Sequence, residues 1–381
     1  MLRGRFARPA RQLRARRMSG QDADLLVIGL GPAGASAAAA AAAAGARVIV
    51  LDARRAPGWP VQCAEFVPAA LLAELPWLDE VSVQPIARMR SFVGHAAPEI
   101  TPHFPGLMID RAAFDRRLAD AAATAGARLL TRHRVVAMLP DQGSVVTADG
   151  TTWRARAIIG ADGPRSVVGA ASGRINRELV ETRQLSIALR YPHDATDIFL
   201  SVEYPGGYGW LFPKGGMANL GLGLAASARG RLKPLLCSLH ARLAGHGMVE
   251  RAAVGLTGGA IPVGGRLPAV AFAGAVPLIL AGDAAGLANP VTGAGIASAV
   301  QSGRLAGAAA AAWLGGDGGA LDELAEETAA LFDASLTRAH HRRATLAATA
   351  RPGPAALREG WIAFPAYWAN IVSPCPAQEV A

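Results

Sequence analysis

The segment Asp24–Asp52 limits the folds open to this chain more than any other. A short apolar run, Leu25–Ile28, reads as a buried strand. Gly29-Leu30-Gly31-Pro32-Ala33-Gly34 follows with the spacing G-x-G-x-x-G, then an alanine-rich run to Gly45 and a second apolar run ending at Asp52. In such a strand–turn–helix–strand unit, Gly29 permits the tight turn, Gly31 lets the backbone approach a pyrophosphate, and Gly34 brings the helix close to the strand. The helix N-terminus then offers free N–H groups and the positive end of its dipole to an anion. Asp52 stands where a carboxylate accepts from a ribose hydroxyl; an acid there favours FAD or NAD over NADP, whose 2′-phosphate it would repel.

The chain has 381 residues, half of them apolar, which suits two connected domains with a large core. Its formal charge of +9 is concentrated: residues 1–20 hold seven arginines and no acid, leaving +2 on the rest. The body is therefore not a nucleic-acid binder by charge. Residues 1–21 read as a basic extension without fixed structure, either an organelle-targeting peptide or an upstream start ahead of Met18, the latter being the simpler reading. No uncharged apolar run reaches membrane-spanning length. Cys63, Cys237 and Cys375 are an odd, scattered set with neither metal spacing nor a disulfide framework. These features point to a soluble, cytoplasmic protein without a bound metal and leave contact with a membrane surface open.

Further along, Arg54–Glu65 is a loop by its Pro and Gly content and follows the nucleotide unit at once, so it should run over the cofactor. Cys63, beside Glu65, is a candidate contact there, against the plainer reading of a small buried thiol. Asp110 caps a predicted helix over 111–125, and Arg111 in its first turn is oddly placed against the helix dipole unless a buried anion lies nearby. Strands are expected at 128–139, 145–148 and 152–156, then a second acid–glycine corner at Gly160-Ala161-Asp162-Gly163. Residues 184–224 read as antiparallel strands, with Tyr208, Trp210 and Phe212 on one face, where core packing competes with a ligand wall. A buried strand at 276–281 ends in Gly282-Asp283, and Asn289–Ile296 then opens a small-residue helix that runs to Leu314, suited to packing on a sheet. Asp283 can accept from a ribityl hydroxyl, and the amides at Gly295 and Ile296 can face the edge of a flavin ring. The aromatic C-terminal segment, with Trp361, Phe364, Tyr367 and Trp368, is a lid over a hydrophobic cavity or a packing tail.

Taken together, the glycine fingerprint, Gly160–Gly163 and Gly282-Asp283 with Pro290–Ile296 resemble the FAD-dependent hydroxylase superfamily. Pro60-Val61-Gln62-Cys63-Ala64-Glu65 and Tyr208-Gly209-Trp210-Leu211-Phe212-Pro213-Lys214 are similar to the geranylgeranyl reductase family within it. The resemblance covers residues 22 to about 315. It implies an α/β fold: a Rossmann-type FAD-binding domain (22–88, 108–172 and 275–314) interleaved with an antiparallel substrate domain (89–107 and 173–274), and a C-terminal helical region (315–381). It also implies noncovalent FAD contacts from Ala33, Asp52, Cys63, Ala64, Arg111, Val135, Asp283, Gly295 and Ile296, with the aromatic strand walling a prenyl cavity. Phe66 departs from the glycine usual after the Cys-Ala-Glu triplet and would narrow that cavity.

Three readings follow. In the first, the chain reduces carbon–carbon double bonds of a prenyl-type substrate by hydride from reduced flavin, with Cys63 as proton donor, since an ordinary thiol is mostly protonated near pH 7. In the second, it is a monooxygenase acting on an aromatic group of a small molecule or peptide. In the third, it is an FAD-binding maturation factor without turnover. No second dinucleotide fingerprint is present, so electrons come from NAD(P)H bound transiently or from a redox protein.

Overall fold

Successive residues of the first strand, Leu25–Ile28, bury on opposite faces of one sheet, which makes that sheet the centre of the nucleotide half. The computed structural model describes residues 22–349 and 352–369; the basic extension with Met18, and Cys375, lie outside them. The sheet has six strands in the order Val270–Ala273, Val276–Leu280, Ala157–Gly160, Leu25–Ile28, Val48–Leu51 and Arg128–Leu130. All neighbours are parallel except the first hairpin. Residues 270–273, grouped above with the second domain, thus add an edge strand to this one. Leu25, Val27, Val50 and Ile159 face the helices Pro32–Ala43, Arg111–Thr124 and Ile296–Leu314. Leu26, Ile28, Leu51 and Ile158 face Val145 and Trp153 of a small sheet, and Phe332 and Leu336 of the long helix Ala320–Ala348.

The helix Ile296–Leu314 packs less on the sheet than the sequence suggests and more on another helix. A Cβ at Gly303 or Gly307 would lie 2.2 or 2.1 Å from the carbonyl oxygens of Ala33 and Ala37, so its backbone rides directly on Pro32–Ala43.

The second half is an eight-stranded sheet in the order Val249–Thr257, Leu179–Leu189, Met217–Ala225, Gly209–Lys214, Ala195–Leu200, Arg88–Val93 and Glu99–Thr101, with Ala260–Pro262 also beside Leu179–Leu189. It is antiparallel apart from Ala195–Leu200 with Arg88–Val93, which run parallel because a crossover separates them. Leu211, Leu220 and Leu222 bury one face under Leu236, Leu239 and Leu243 of the helix Leu232–Gly245. Trp210 and Phe212 bury the other under Leu357, Trp361 and Phe364 of the C-terminal segment. No helix among the described residues is long and apolar enough to cross a membrane.

Candidate functional site

At the carboxyl end of the first strand, the three glycines of the fingerprint differ in what surrounds them. Gly29 has φ +99° and a Cβ there would meet the Ala161 carbonyl at 2.3 Å; a Cβ at Gly34 would meet the Gly29 carbonyl at 1.9 Å. Those two positions are closed by packing. Gly31 is open, and its Cβ would approach only the Arg54 guanidinium, at 3.9 Å. Gly31 also precedes a helix whose N-terminus has no side-chain cap, so the amides of Ala33 and Gly34 lie in the first turn, where no helical acceptor exists for them. This open cradle suits a pyrophosphate.

Asp52 is buried and accepts from the amides of Leu30 and Arg54, both at 2.6 Å, and from the Arg54 guanidinium at 3.0–3.1 Å. Burial opposes its ionisation, but the Arg54 hydrogen bonds and charge hold its pKa below the usual carboxylate value. Arg54 had no assigned role in the sequence, although an arginine two residues beyond the strand-end acid was a usable signal. Val135 opens the strand Val135–Leu139, after a turn whose His133 amide donates to the Asp52 carbonyl, placing it on the Asp52 side of the cradle.

The loop carrying Cys63 is clamped from both halves of the molecule. The Cys63 and Ala64 carbonyls accept from the side chains of Gln184 (3.0 Å) and Asn219 (3.1 Å), and the Val61 carbonyl accepts from Thr257 (2.8 Å). Glu65 is the hub. It is buried with φ +68°, its amide donates to the Cys63 sulfur at 3.2 Å, and its carboxylate accepts from the Arg111 amide (3.1 Å), Lys214 Nζ (2.8 Å) and Asn219 (3.0 Å). Its acceptance from Arg111 N also gives a carboxylate to a helix N-terminus, where the dipole favours one. Glu65, Lys214, Asn219 and Gln184 were not assigned roles in the sequence; their partners lie well over a hundred residues away, beyond any spacing rule.

Arg111 meets the anion its position asked for, but within its own helix: its Nε donates to Asp115 at 2.8 Å. Burial works against its charge, yet Asp115 and the neighbouring Cys63 sulfur raise its pKa above the ordinary guanidinium value. Asp283 comes into the same neighbourhood. Burial pushes its pKa up to about 6, with the Arg111 charge pulling the other way. A Cβ at Gly295 would lie 3.1 Å from Asp283 Oδ1, so Asp283 faces the start of the helix that begins at Ile296. Asp162 serves a turn, accepting from the Val167 amide at 2.7 Å.

Tyr208, Trp210 and Phe212 form a continuous aromatic row, with neighbouring centroids 5.8 and 6.5 Å apart. Tyr208 stacks obliquely on Trp361 at 4.7 Å and donates to the Thr292 carbonyl at 2.5 Å. The C-terminal segment therefore covers this wall. Phe66 closes its far end, 5.9 Å from Phe212 and stacked on Phe104 at 5.4 Å. A cavity beside Tyr208 and Trp210 is lined by Val180, Ile261, Val291 and Arg343. It lies between the aromatic wall and the Pro290–Gly293 loop that leads into Gly295 and Ile296.

Residues 180–248, which carry the aromatic strand, match the family model described as the geranylgeranyl reductase catalytic domain. The chain is 34% identical over 233 residues to digeranylgeranylglycerophospholipid reductase 1 of Methanococcoides burtonii, a span of 56% of this chain and 57% of that one. It is 34% identical over 270 residues to the digeranylgeranylglycerophospholipid reductase of Methanocella arvoryzae, covering 65% and 68% respectively. The matched span is thus little more than half of the first relative's length. A solved geranylgeranyl bacteriochlorophyll reductase-like protein from Thermoplasma acidophilum superposes with a TM-score of 0.76 at 26% identity, over 88% of this chain and 89% of that one. With the dinucleotide cradle, the clamped Cys-Ala-Glu loop and the aromatic wall all present, the chain belongs to the geranylgeranyl reductase family.

Proposed function

We propose that this chain is an FAD-dependent reductase that saturates carbon–carbon double bonds of a prenyl-type substrate. FAD is the cofactor, held by the open cradle at Gly31 with Ala33 and Gly34, by Asp52, and by Asp283 with the amides of Gly295 and Ile296. Arg111, Cys63, Ala64 and Val135 complete its surroundings. Bound and reduced, FAD supplies a hydride to one alkene carbon. The other carbon takes a proton, for which Cys63 is the donor; the sulfur left behind stands beside the Arg111 guanidinium, an opposite charge. Tyr208, Trp210 and Phe212 hold the chain and exclude water. NAD(P)H or a redox protein would supply the electrons.

The observation that carries this reading is the hub at Glu65. It fixes a thiol-bearing loop between the helix of Arg111 and the strand of the aromatic row. The test is anaerobic: reduce the purified flavoprotein chemically, add a geranylgeranyl substrate, and follow flavin reoxidation and product mass. Reoxidation matched to the gain of two hydrogens per double bond supports the proposal. An oxygenated product formed only in air would replace it with the hydroxylase reading, and a flavin indifferent to every prenyl substrate would leave a binding protein.

A further inference from the structure

We propose that Arg343 anchors the anionic headgroup of the prenyl substrate at the rim of the aromatic cavity. This rests on the prenyl-reductase reading above and adds the polar end of the ligand to it. Arg343 comes from the long helix Ala320–Ala348, beyond the stretch in which the sequence showed any family motif. Arg343 lines the cavity with Val180, Tyr208, Trp210, Ile261 and Val291, an otherwise largely apolar set. Its Nη1 donates to the carbonyls of Gly206 (2.6 Å) and Pro290 (3.4 Å). Among the described residues, Nε and Nη2 donate to nothing.

A guanidinium in such a place needs a counter-charge. Burial lowers the Arg343 pKa, and Glu178, the carboxylate that acts on it through space, lies largely in solvent and within 3.8 Å of His340. The two carbonyls hold one edge of the planar fork, which leaves Nε and Nη2 as a pair of donors in the geometry that suits a phosphate or carboxylate bidentately. The cavity has only about 30 Å³ of free space, too little for a prenyl chain, so the cation on its lining suits the phosphate-ester end of an isoprenoid. A free prenyl diphosphate and a prenylated phospholipid share that chemistry.

The experiment measures equilibrium binding to the FAD-loaded protein, apart from turnover, for geranylgeranyl diphosphate, a dispersed geranylgeranyl glycerophospholipid and neutral geranylgeraniol. The expected result is tighter binding of the two charged ligands by the parent. Arg343→Gln should weaken those two by about 10- to 100-fold, the range for a lost charge-assisted contact, and leave geranylgeraniol unchanged. Arg343→Lys, which keeps the charge without the fork, should retain part of the difference and guards against a folding defect in the glutamine variant. The stronger of the two charged arms identifies the source of the headgroup. Equal weakening of geranylgeraniol would reduce Arg343 to a clamp on Gly206 and Pro290 and overturn the proposal, as would unchanged binding of all three. Failure of the parent to bind any prenyl ligand would instead overturn the reductase reading itself.

Discussion

Cys63 and Asp283 sit near the same guanidinium yet should fail differently when changed. Cys63 gives the cradle no charged or bonded anchor, so Cys63→Ala should keep its FAD, read from the flavin absorbance of the purified protein. Its turnover should fall by about 10²–10⁴-fold, the usual value of a positioned proton donor; full turnover would remove Cys63 from the mechanism. Asp283→Ala should lose FAD well beyond Asp162→Ala, whose carboxylate holds a turn. Asp283 also predicts a pH effect on the FAD-free protein. Its folded pKa, about 6, lies above the ordinary 3.8, so the folded state keeps a proton that the unfolded chain has released. The stability this gives is present below pH 4 and is lost as pH rises through 6. Asp283→Asn should therefore flatten the stability profile between pH 4 and 6 relative to the parent, by thermal unfolding; parallel profiles would contradict the raised pKa of this acid. The glycines, Asp52 and the Asp110 cap were legible because their roles rest on neighbours a fixed number of residues away. Glu65 was visible in its motif but not as a hub, since Lys214 and Asn219 reach it only through the fold.

Between elements, the decisive contact is the crossing of Ile296–Leu314 on Pro32–Ala43. Both helices were readable with nearly their observed limits, because alanine runs bounded by glycine leave few alternatives. Their partnership was not readable, because small residues fit a sheet and a helix equally well. The structure decides it at Gly303 and Gly307, where only a hydrogen fits against the Ala33 and Ala37 carbonyls. Gly303→Ala should cost about 1–3 kcal/mol, as overpacking does, and should lower FAD content too, since Ala33 lies in the turn proposed to receive the pyrophosphate. Gly245→Ala, with open space at its Cβ, is the control and should change neither. If Gly303→Ala were as silent as the control under denaturant titration, the close crossing would be wrong.

For the molecule as a whole, one loop of a few residues ties the two halves together through Glu65. Glu65→Gln keeps shape but loses the charge that Lys214 and the Arg111 amide face. It should destabilise the fold by about 1–3 kcal/mol, the range for leaving buried partners unsatisfied. Turnover should fall more than FAD content, because the cradle at Gly31 is untouched; an unchanged kcat would demote the hub to a structural tie. The interleaved architecture was legible through the family resemblance its motifs carry, whereas the cover of Trp361 and Phe364 over the aromatic wall was legible only as one of two alternatives, for aromatic residues alone do not say what they cover. The bridging of Glu65 carries one more consequence. The helix of Arg111 and the strand that ends at Lys214 donate to the same buried carboxylate, so a shift of either is felt by the other.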